Sequence, residues 1–245
     1  VTTRLAYREI GKEAGEEALQ NEKIKSFVYV EALCKRLEQY ENQRDKYPTF
    51  VDFYPELIKV FEEFSEKEFG DDFYSIPFTG TINAVSADRK SVILIIPTHE
   101  NDKAVQDKIH AYVKGIHDKF FKDSLILTDE EALKRDLSTN ALMVYGTTTG
   151  NLWLAQHIAE LPVSVEADKI VADTVYSGAH LRFISAWPNP QNPQKGVCIY
   201  TAQQAEDVVG INGVFHGPTD YVIAKGTEVL KAANYKKQDG RWAFK

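Results

Sequence analysis

Ala141-Leu-Met-Val-Tyr145 runs straight into Gly146-Thr-Thr-Thr-Gly-Asn151, and an amphipathic stretch follows from Asn151 to Leu161 before Pro162 stops it. Five consecutive apolar residues read as a strand buried on both faces. The stretch after them reads as a helix with Asn151 or a threonine at its cap. A buried strand feeding a helix through a short loop is the repeating unit of an α/β fold. The loop also carries chemistry. Free amides at a helix start, with the positive end of its dipole, favour an anion. Two glycines allow a tight bend or close approach to a ligand. Gly146, Thr147, Thr148, Thr149 and Asn151 are therefore the candidate ligand-facing residues. The pattern has neither the lysine of a P-loop nor the spacing G-x-G-x-x-G.

The same alternation extends on both sides. Ser91-Val-Ile-Leu-Ile-Ile-Pro97 predicts another buried strand, paired as a hairpin with a strand over Gly80–Ala87 across Asp88-Arg89-Lys90. Asp102–Phe121 predicts a helix with Val105, Ile109, Val113, Ile116 and Phe120 inward. Leu125–Leu127 predicts a strand, and Thr128-Asp-Glu-Glu131 a capping box opening a helix through Leu137. Further strands are expected near Lys169–Tyr176, Leu181–Ala186, Val197–Thr201 and Tyr221–Ala224, with a helix over Ala202–Val209. Pro188-Asn-Pro-Gln-Asn-Pro193 reads as a rigid loop and Asp239-Gly240 as the turn of a last hairpin, with Trp242 and Phe244 packing back. The fold expected is a three-layer αβα arrangement around a mainly parallel sheet, which binds ligands beyond the carboxyl ends of its strands.

Residues 1–80 differ. They hold 11 Lys/Arg and 17 Asp/Glu, net −6, against net −1 for the remainder. Their apolar residues recur at helical steps. A weak helix is expected over Leu5–Leu19. A second runs from Ile24 to Tyr47 with Phe27, Val30, Cys34, Leu37 and Tyr40 as its stripe. A third starts near Tyr54, with Pro55 in its first turn, Leu57, Val60, Phe61, Phe64 and Phe69 inward, and Gly70 as its stop. The division expected is an acidic helical segment over 1–78 and an α/β domain over 79–245.

Composition closes several routes. Net charge is −7 with a pI near 5.5, which argues against nucleic acid as a partner, because phosphate contacts need a basic face. The longest apolar run, Val92–Ile96, is far too short for a membrane span. Cys34 and Cys198 form no disulfide framework and match no metal spacing, so neither a metal nor a cofactor is expected. The chain opens Val1-Thr2-Thr3, with no basic stretch and apolar run of a signal peptide behind it. A removed leader or a longer parent polypeptide would explain that start.

Two further constellations carry titratable groups. His99-Glu100 follows the Val92–Ile96 strand, and His216 stands four residues before Asp220; either pair would suit acid–base work, and either is also explained by a helix start or a turn. Tyr176-Ser177-Gly178 is not the G-x-S-x-G of a serine-hydrolase elbow. His110, His117 and His157 lie on expected helices without the carboxylate of a zinc motif. Trp153 and Trp187 stand near element ends, where aromatic residues flank pockets or fill cores.

Asn140–Leu154 resembles the "lvvyGTpetN" strand–loop–helix of an α/β module of exported bacterial proteins, which accompanies α/β-hydrolase- or peptidase-like domains. The likeness continues through Tyr176-Ser-Gly, the Trp187–Pro193 loop and Asp220-Tyr-Val-Ile, about a third of the chain. It implies an exported protein, periplasmic or extracellular, with Gly146, Thr147 and Asn151 in one shared loop and Asn189, Pro190 and Pro193 in the other. It implies no particular activity. The expected function is an accessory module that takes a small polar or anionic molecule, or a peptide, at Gly146–Asn151, with Trp187 and Asn189 in the neighbouring wall. Two other classes compete. One is a hydrolase using His99 or His216 beside Glu100 or Asp220. The other is a protein-interaction domain acting through the N-terminal helices, which an exposed apolar patch on them would favour.

Overall fold

The fold is read from a computed structural model that describes residues 1–24, 27, 29–65, 78, 80–87, 89, 91–238 and 241–244. Phe69, Gly70, Asp88, Lys90 and the Asp239-Gly240 turn lie outside them. The chain divides into two units, Val1–Ile76 and Pro77–Lys245.

In the first unit, α1 (Thr2–Leu5) passes into a π-helical turn over Ala6–Ile10. Gly11, at φ +126°, ends that turn before α2 (Lys12–Ile24), a backbone setting that glycine adopts without strain. Next come α3 (Val30–Asn42) and α4 (Phe50–Ser65). Cys34 and Leu37 are buried on α3, as its stripe predicts, and Phe53 and Val60 on α4. The start of α4 corrects the expectation. Thr49 Oγ1 accepts the Asp52 N–H at 3.3 Å, and the Asp52 carboxylate accepts the Thr49 N–H at 2.9 Å. This reciprocal cap starts the helix at Phe50 and leaves Pro55 inside it. The carbonyl that Pro55 leaves without a donor belongs to Val51, an exposed residue within reach of water.

The second unit opens with α5 (Ile82–Ala87), where the sequence predicts a strand and a hairpin. Thr81 Oγ1 accepts the Ala84 N–H at 3.2 Å, and Ile82 and Val85, three residues apart, turn inward together. An alternating run follows: β1 (Ile93–Ile96), α6 (Lys103–Phe120), β2 (Leu125–Thr128), α7 (Asp129–Ala132), β3 (Leu142–Tyr145) and α8 (Leu152–His157). Asp102 caps α6 by accepting the Ala104 and Val105 amides. Val105, Ile109 and Val113 are buried as expected, whereas Phe120 is exposed and Phe121 takes the inward place. The Thr128–Glu131 capping box forms, and the helix it opens lasts one turn.

The strand expected over Lys169–Tyr176 is two strands. β4 (Ser164–Val165), β5 (Lys169–Val171) and β6 (Val175–Ser177) form a small antiparallel sheet. Then come β7 (Leu181–Asn189), β8 (Asn192–Ala202), β9 (Tyr221–Lys225), β10 (Glu228–Ala233), β11 (Lys236–Gln238) and β12 (Arg241–Ala243). The helix expected over Ala202–Val209 is a 3₁₀ turn over Ala205–Val208.

The main sheet has the order β10-β9-β7-β8-β3-β1-β2. The chain is therefore α/β. Strands β2, β1, β3 and β8 run parallel, and β8, β7, β9 and β10 are joined antiparallel, so the sheet is mixed rather than parallel throughout. The cause is the Pro188–Pro193 segment. Only Pro190 and Gln191 separate β7 from β8, a hairpin, whereas a parallel pair needs a crossover of a dozen residues or more. Alternate residues feed two cores. Leu94, Met143, Tyr145 and Tyr200 join α5 and α6 in one. Ile93, Ile95, Val144 and Ile199 join α8 and Tyr235 in the other.

Tyr145 and Tyr200 stack at 4.7 Å between ring centroids. Burial holds both phenols well above the usual tyrosine range and pushes the Cys198 thiol up to about 12 from its ordinary 9.0. Folding thus keeps protons that the unfolded chain releases. The corresponding stability is whole below about pH 8.5 and is lost as pH climbs from about 9 towards 12. The denaturation midpoint should fall across that window. Cys198 should resist iodoacetamide at pH 8 until the chain is unfolded, with peptide mass spectrometry as the readout.

Candidate functional site

β1 lies inside the parallel half, with β2 on one side and β3 on the other. The direction of winding reverses there, which is the place where open α/β sheets carry their ligand sites, beyond the carboxyl ends of β1 and β3. Glu100 and the Gly146–Asn151 loop meet at that point. Glu100 is buried. Its carboxylate accepts the Thr147 N–H at 2.7 Å and the Thr147 hydroxyl at 2.8 Å. Thr147 Oγ1 in turn accepts the Gly150 N–H at 2.8 Å, and the His99 N–H donates to the Gly150 carbonyl at 2.9 Å. A side chain on Gly150 would strike the Glu100 carboxyl group, and Gly146 sits at φ +136°. Both glycines are thus required by the close fit of this loop.

The loop does bind an anion, and the anion is the chain's own. The Thr147 amide, expected to face a ligand, is taken by Glu100. Asn151 is buried and works as the helix cap: its Oδ1 accepts the Leu154 N–H at 2.9 Å and its Nδ2 donates to the Tyr145 carbonyl at 2.8 Å. Thr148 is half-buried and Thr149 exposed, so these two and the exposed His99 form the outer rim.

Asp129, which the sequence places only in a capping box, joins three loops. It is fully buried. It accepts the Thr98 hydroxyl at 2.6 Å, the Glu130 N–H at 2.9 Å and the Leu152 N–H at 2.6 Å. Because the Thr98 hydroxyl donates to Asp129, its oxygen accepts from His99 Nδ1, 2.8 Å away. His99 Nε2 faces outward, 3.9 Å from Glu130 Oε1. An aspartate directly after a strand's last threonine is the one signal that would have pointed here.

Neither expected acid–base pair forms. His99 turns out to the rim while Glu100 turns in to Thr147. His216 Nδ1 donates to the Val214 carbonyl at 2.7 Å, and Asp220, fully buried, accepts the Tyr235 N–H at 3.1 Å. Ser177 lies on β6 in the small sheet. The helical histidines are held locally: His110 by the Pro97 carbonyl, His117 by Asp118 and the Ser124 carbonyl, His157 by Glu160.

Trp187 and Asn189 do not stand beside the Gly146–Asn151 loop, which corrects the expected common wall. Trp187 pairs with Val197, whose neighbour on β3 is Leu142, at the start of that strand; the loop leaves from Tyr145, at its end. Three residues of strand, about 10 Å, separate the two levels. A loop joining a strand to its antiparallel neighbour has to lie at this opposite edge. Asn189 is buried there, donating to the Leu137 and Asn140 carbonyls at 2.9 and 3.0 Å.

The first unit presents a different surface. Residues 1–65 hold nine of the sixteen large apolar side chains that stand exposed among the described residues. Four of them, Phe50 (44 %), Tyr54 (54 %), Ile58 (39 %) and Phe61 (44 %), recur every three or four residues along α4. They form one stripe flanking the buried line of Phe53 and Val60; Phe50 meets the Tyr40 ring at 5.7 Å and Phe61 the Tyr29 ring at 5.0 Å, while Tyr54 and Ile58 lie at the outer margin.

A family described as a domain of unknown function (DUF4932) matches residues 1–60. No curated protein matches the chain.

Proposed function

We propose that the chain is an interaction module whose acidic helical unit docks a partner protein on the outer stripe of α4. The carrying observation is that stripe. The apolar face of α4 is wider than the part it buries: Phe50 and Phe61 lean on the Tyr40 and Tyr29 rings of the same unit, while Tyr54 and Ile58 stand exposed at its margin. The partner segment that fits is an amphipathic helix with basic flanks. Residues 29–65 hold five Lys/Arg and eight Asp/Glu, and Glu62 borders the stripe. Two copies of this face would set those acids against each other, whereas lysine or arginine would complement them. DUF4932 matches this same segment of the chain.

A synthetic Leu/Lys amphipathic helix tests the reading against the full chain by fluorescence anisotropy. Micromolar binding is expected, absent from a Leu/Glu analogue. It should weaken at least about tenfold in the Tyr54→Glu/Ile58→Glu double variant, with the circular dichroism spectrum unchanged. Equal affinity of the double variant would overturn the proposal. So would a homodimer in ultracentrifugation that the same variant dissociates.

A second reading keeps a small polar ligand at the switch point, favoured by the outward Nε2 of His99 beside Thr148 and Thr149. The module is further proposed to be an exported bacterial one, on the likeness of residues 140–224 to such modules, and its sheet to be clad by helices as a three-layer arrangement. No helix among the described residues is long and apolar enough to cross a membrane.

A further inference from the structure

The chain has three tryptophans, Trp153, Trp187 and Trp242, and all three line two adjoining depressions at the sheet edge where the parallel strands begin. The larger is a cavity of about 450 Å³ walled by Glu160, Trp187, Pro188, Pro190, Pro193 and Trp242. The smaller, of about 10 Å³, is a narrow gap behind Trp187, Pro188 and Pro190, with Trp153 and His157 at its inner end. That volume suits a small organic ligand or a short peptide segment.

The wall is built before any ligand arrives. Pro190 stands in the tight β7–β8 turn, and Asn189 ties that turn to the Leu137 and Asn140 carbonyls. Trp242 stacks on Phe78 at 5.5 Å with rings 5° apart and meets Trp187 at 5.4 Å with rings inclined at 62°. A preformed wall of rings and prolines gives up little conformational entropy on binding.

Its polar inventory narrows the occupant. Asn189 has spent its amide on backbone carbonyls. Glu160 is half exposed and carries one interaction, with His157 Nδ1 at 3.0 Å. The indole N–H of Trp187 donates to no acceptor among the described residues. The wall therefore supplies flat apolar surface, the Trp187 donor and the Glu160 carboxylate. A sugar would need several directed polar partners, which this wall lacks. A polyproline II segment needs what it has: its rings pack on aromatic faces, and its backbone carbonyls make no internal hydrogen bonds and can accept from an indole.

We propose that this groove binds a proline-rich extended peptide with lysine or arginine next to its prolines, the prolines on Trp187 and Trp242 and the basic residue at Glu160. The surface belongs to the second unit and is independent of the α4 stripe.

Because all the tryptophans of the chain border the groove, intrinsic fluorescence of the full chain reports on it directly. The probes are a synthetic peptide of proline pairs and leucine closed by two arginines, the same peptide with every proline replaced by alanine, a version closed by two glutamates, and cellohexaose. The arginine-closed peptide should give a saturable emission change, at least about tenfold tighter than the alanine version. Glu160→Lys, at an exposed rim position, should weaken it about tenfold and strengthen the glutamate-closed version. Four results would overturn the proposal: no saturable change, equal binding of the alanine peptide, insensitivity to Glu160→Lys, or saturation by cellohexaose in place of the peptide.

Discussion

Asp129→Ala is expected to destabilise the second unit by about 4 kcal/mol. The carboxylate is fully buried and accepts three donors, the Thr98 hydroxyl after β1, the Glu130 amide at the start of α7 and the Leu152 amide at the start of α8. Alanine supplies no acceptor, and each donor left dry costs about 1–3 kcal/mol. Water entering the small void recovers part of that. Asp129→Asn keeps one oxygen and turns an NH₂ towards a donor, so about half the loss is expected. Tryptophan emission is the clean readout, since Trp153, Trp187 and Trp242 all lie in the second unit. The urea midpoint should fall with an unchanged slope. A loss below about 1 kcal/mol would mean that the three loops do not depend on this carboxylate.

Glu100→Ala has the second largest expected effect, about 3 kcal/mol, and a more specific signature. It removes the acceptor of both Thr147 donors and opens a hole against Gly150. The amide, the hydroxyl and the helix start remain, so the variant holds an empty anion site of carboxylate size. Formate or acetate should refill it. At ten times its Kd, a carboxylate returns about 1.4 kcal/mol to the folded state. The wild-type chain, with its own carboxylate in place, should gain nothing from the same salt beyond what chloride gives. Rescue confined to the variant would confirm the loop as an anion cradle. Equal response of both chains would remove that role, and with it the small-ligand reading of the switch point.

The parts of the fold visible in the sequence are those set by neighbours in the chain. The Val92–Ile96 and Ala141–Tyr145 runs are β1 and β3, the Asp102–Phe121 stretch holds α6, and the Thr128 capping box starts α7. The Thr49–Asp52 box was equally local and was masked by the stronger signal of Pro55. Ile82–Ala87 misled because its β-branched residues suit a strand, while the hydroxyl of Thr81 and the three-residue step from Ile82 to Val85 make it a helix. The sheet's antiparallel half depended on reading Pro190-Gln191 as a hairpin turn.

Site geometry was less legible, because it is built from residues far apart in sequence. Glu100 and Thr147 stand 47 positions apart, and Thr98 and Asp129 stand 31 apart. His99 is exposed at the rim while Glu100 is turned in to Thr147, so the two neighbours do not act as a pair. The tryptophan groove escaped for the same reason: Trp242 reaches Trp187 across 55 residues of chain.

The outer strand β10 ends the main sheet on one side, so its backbone is open to cross-strand capture by another chain. Its register slips between Val229 and Lys231, and the Lys231 ammonium reaches across to Asp173 at 3.1 Å. That irregularity bends the ladder at the point where exposed Leu230 would otherwise extend a flat, sticky margin. An irregular ladder with a lysine on it is the kind of edge that disfavours the addition of a strand from another chain.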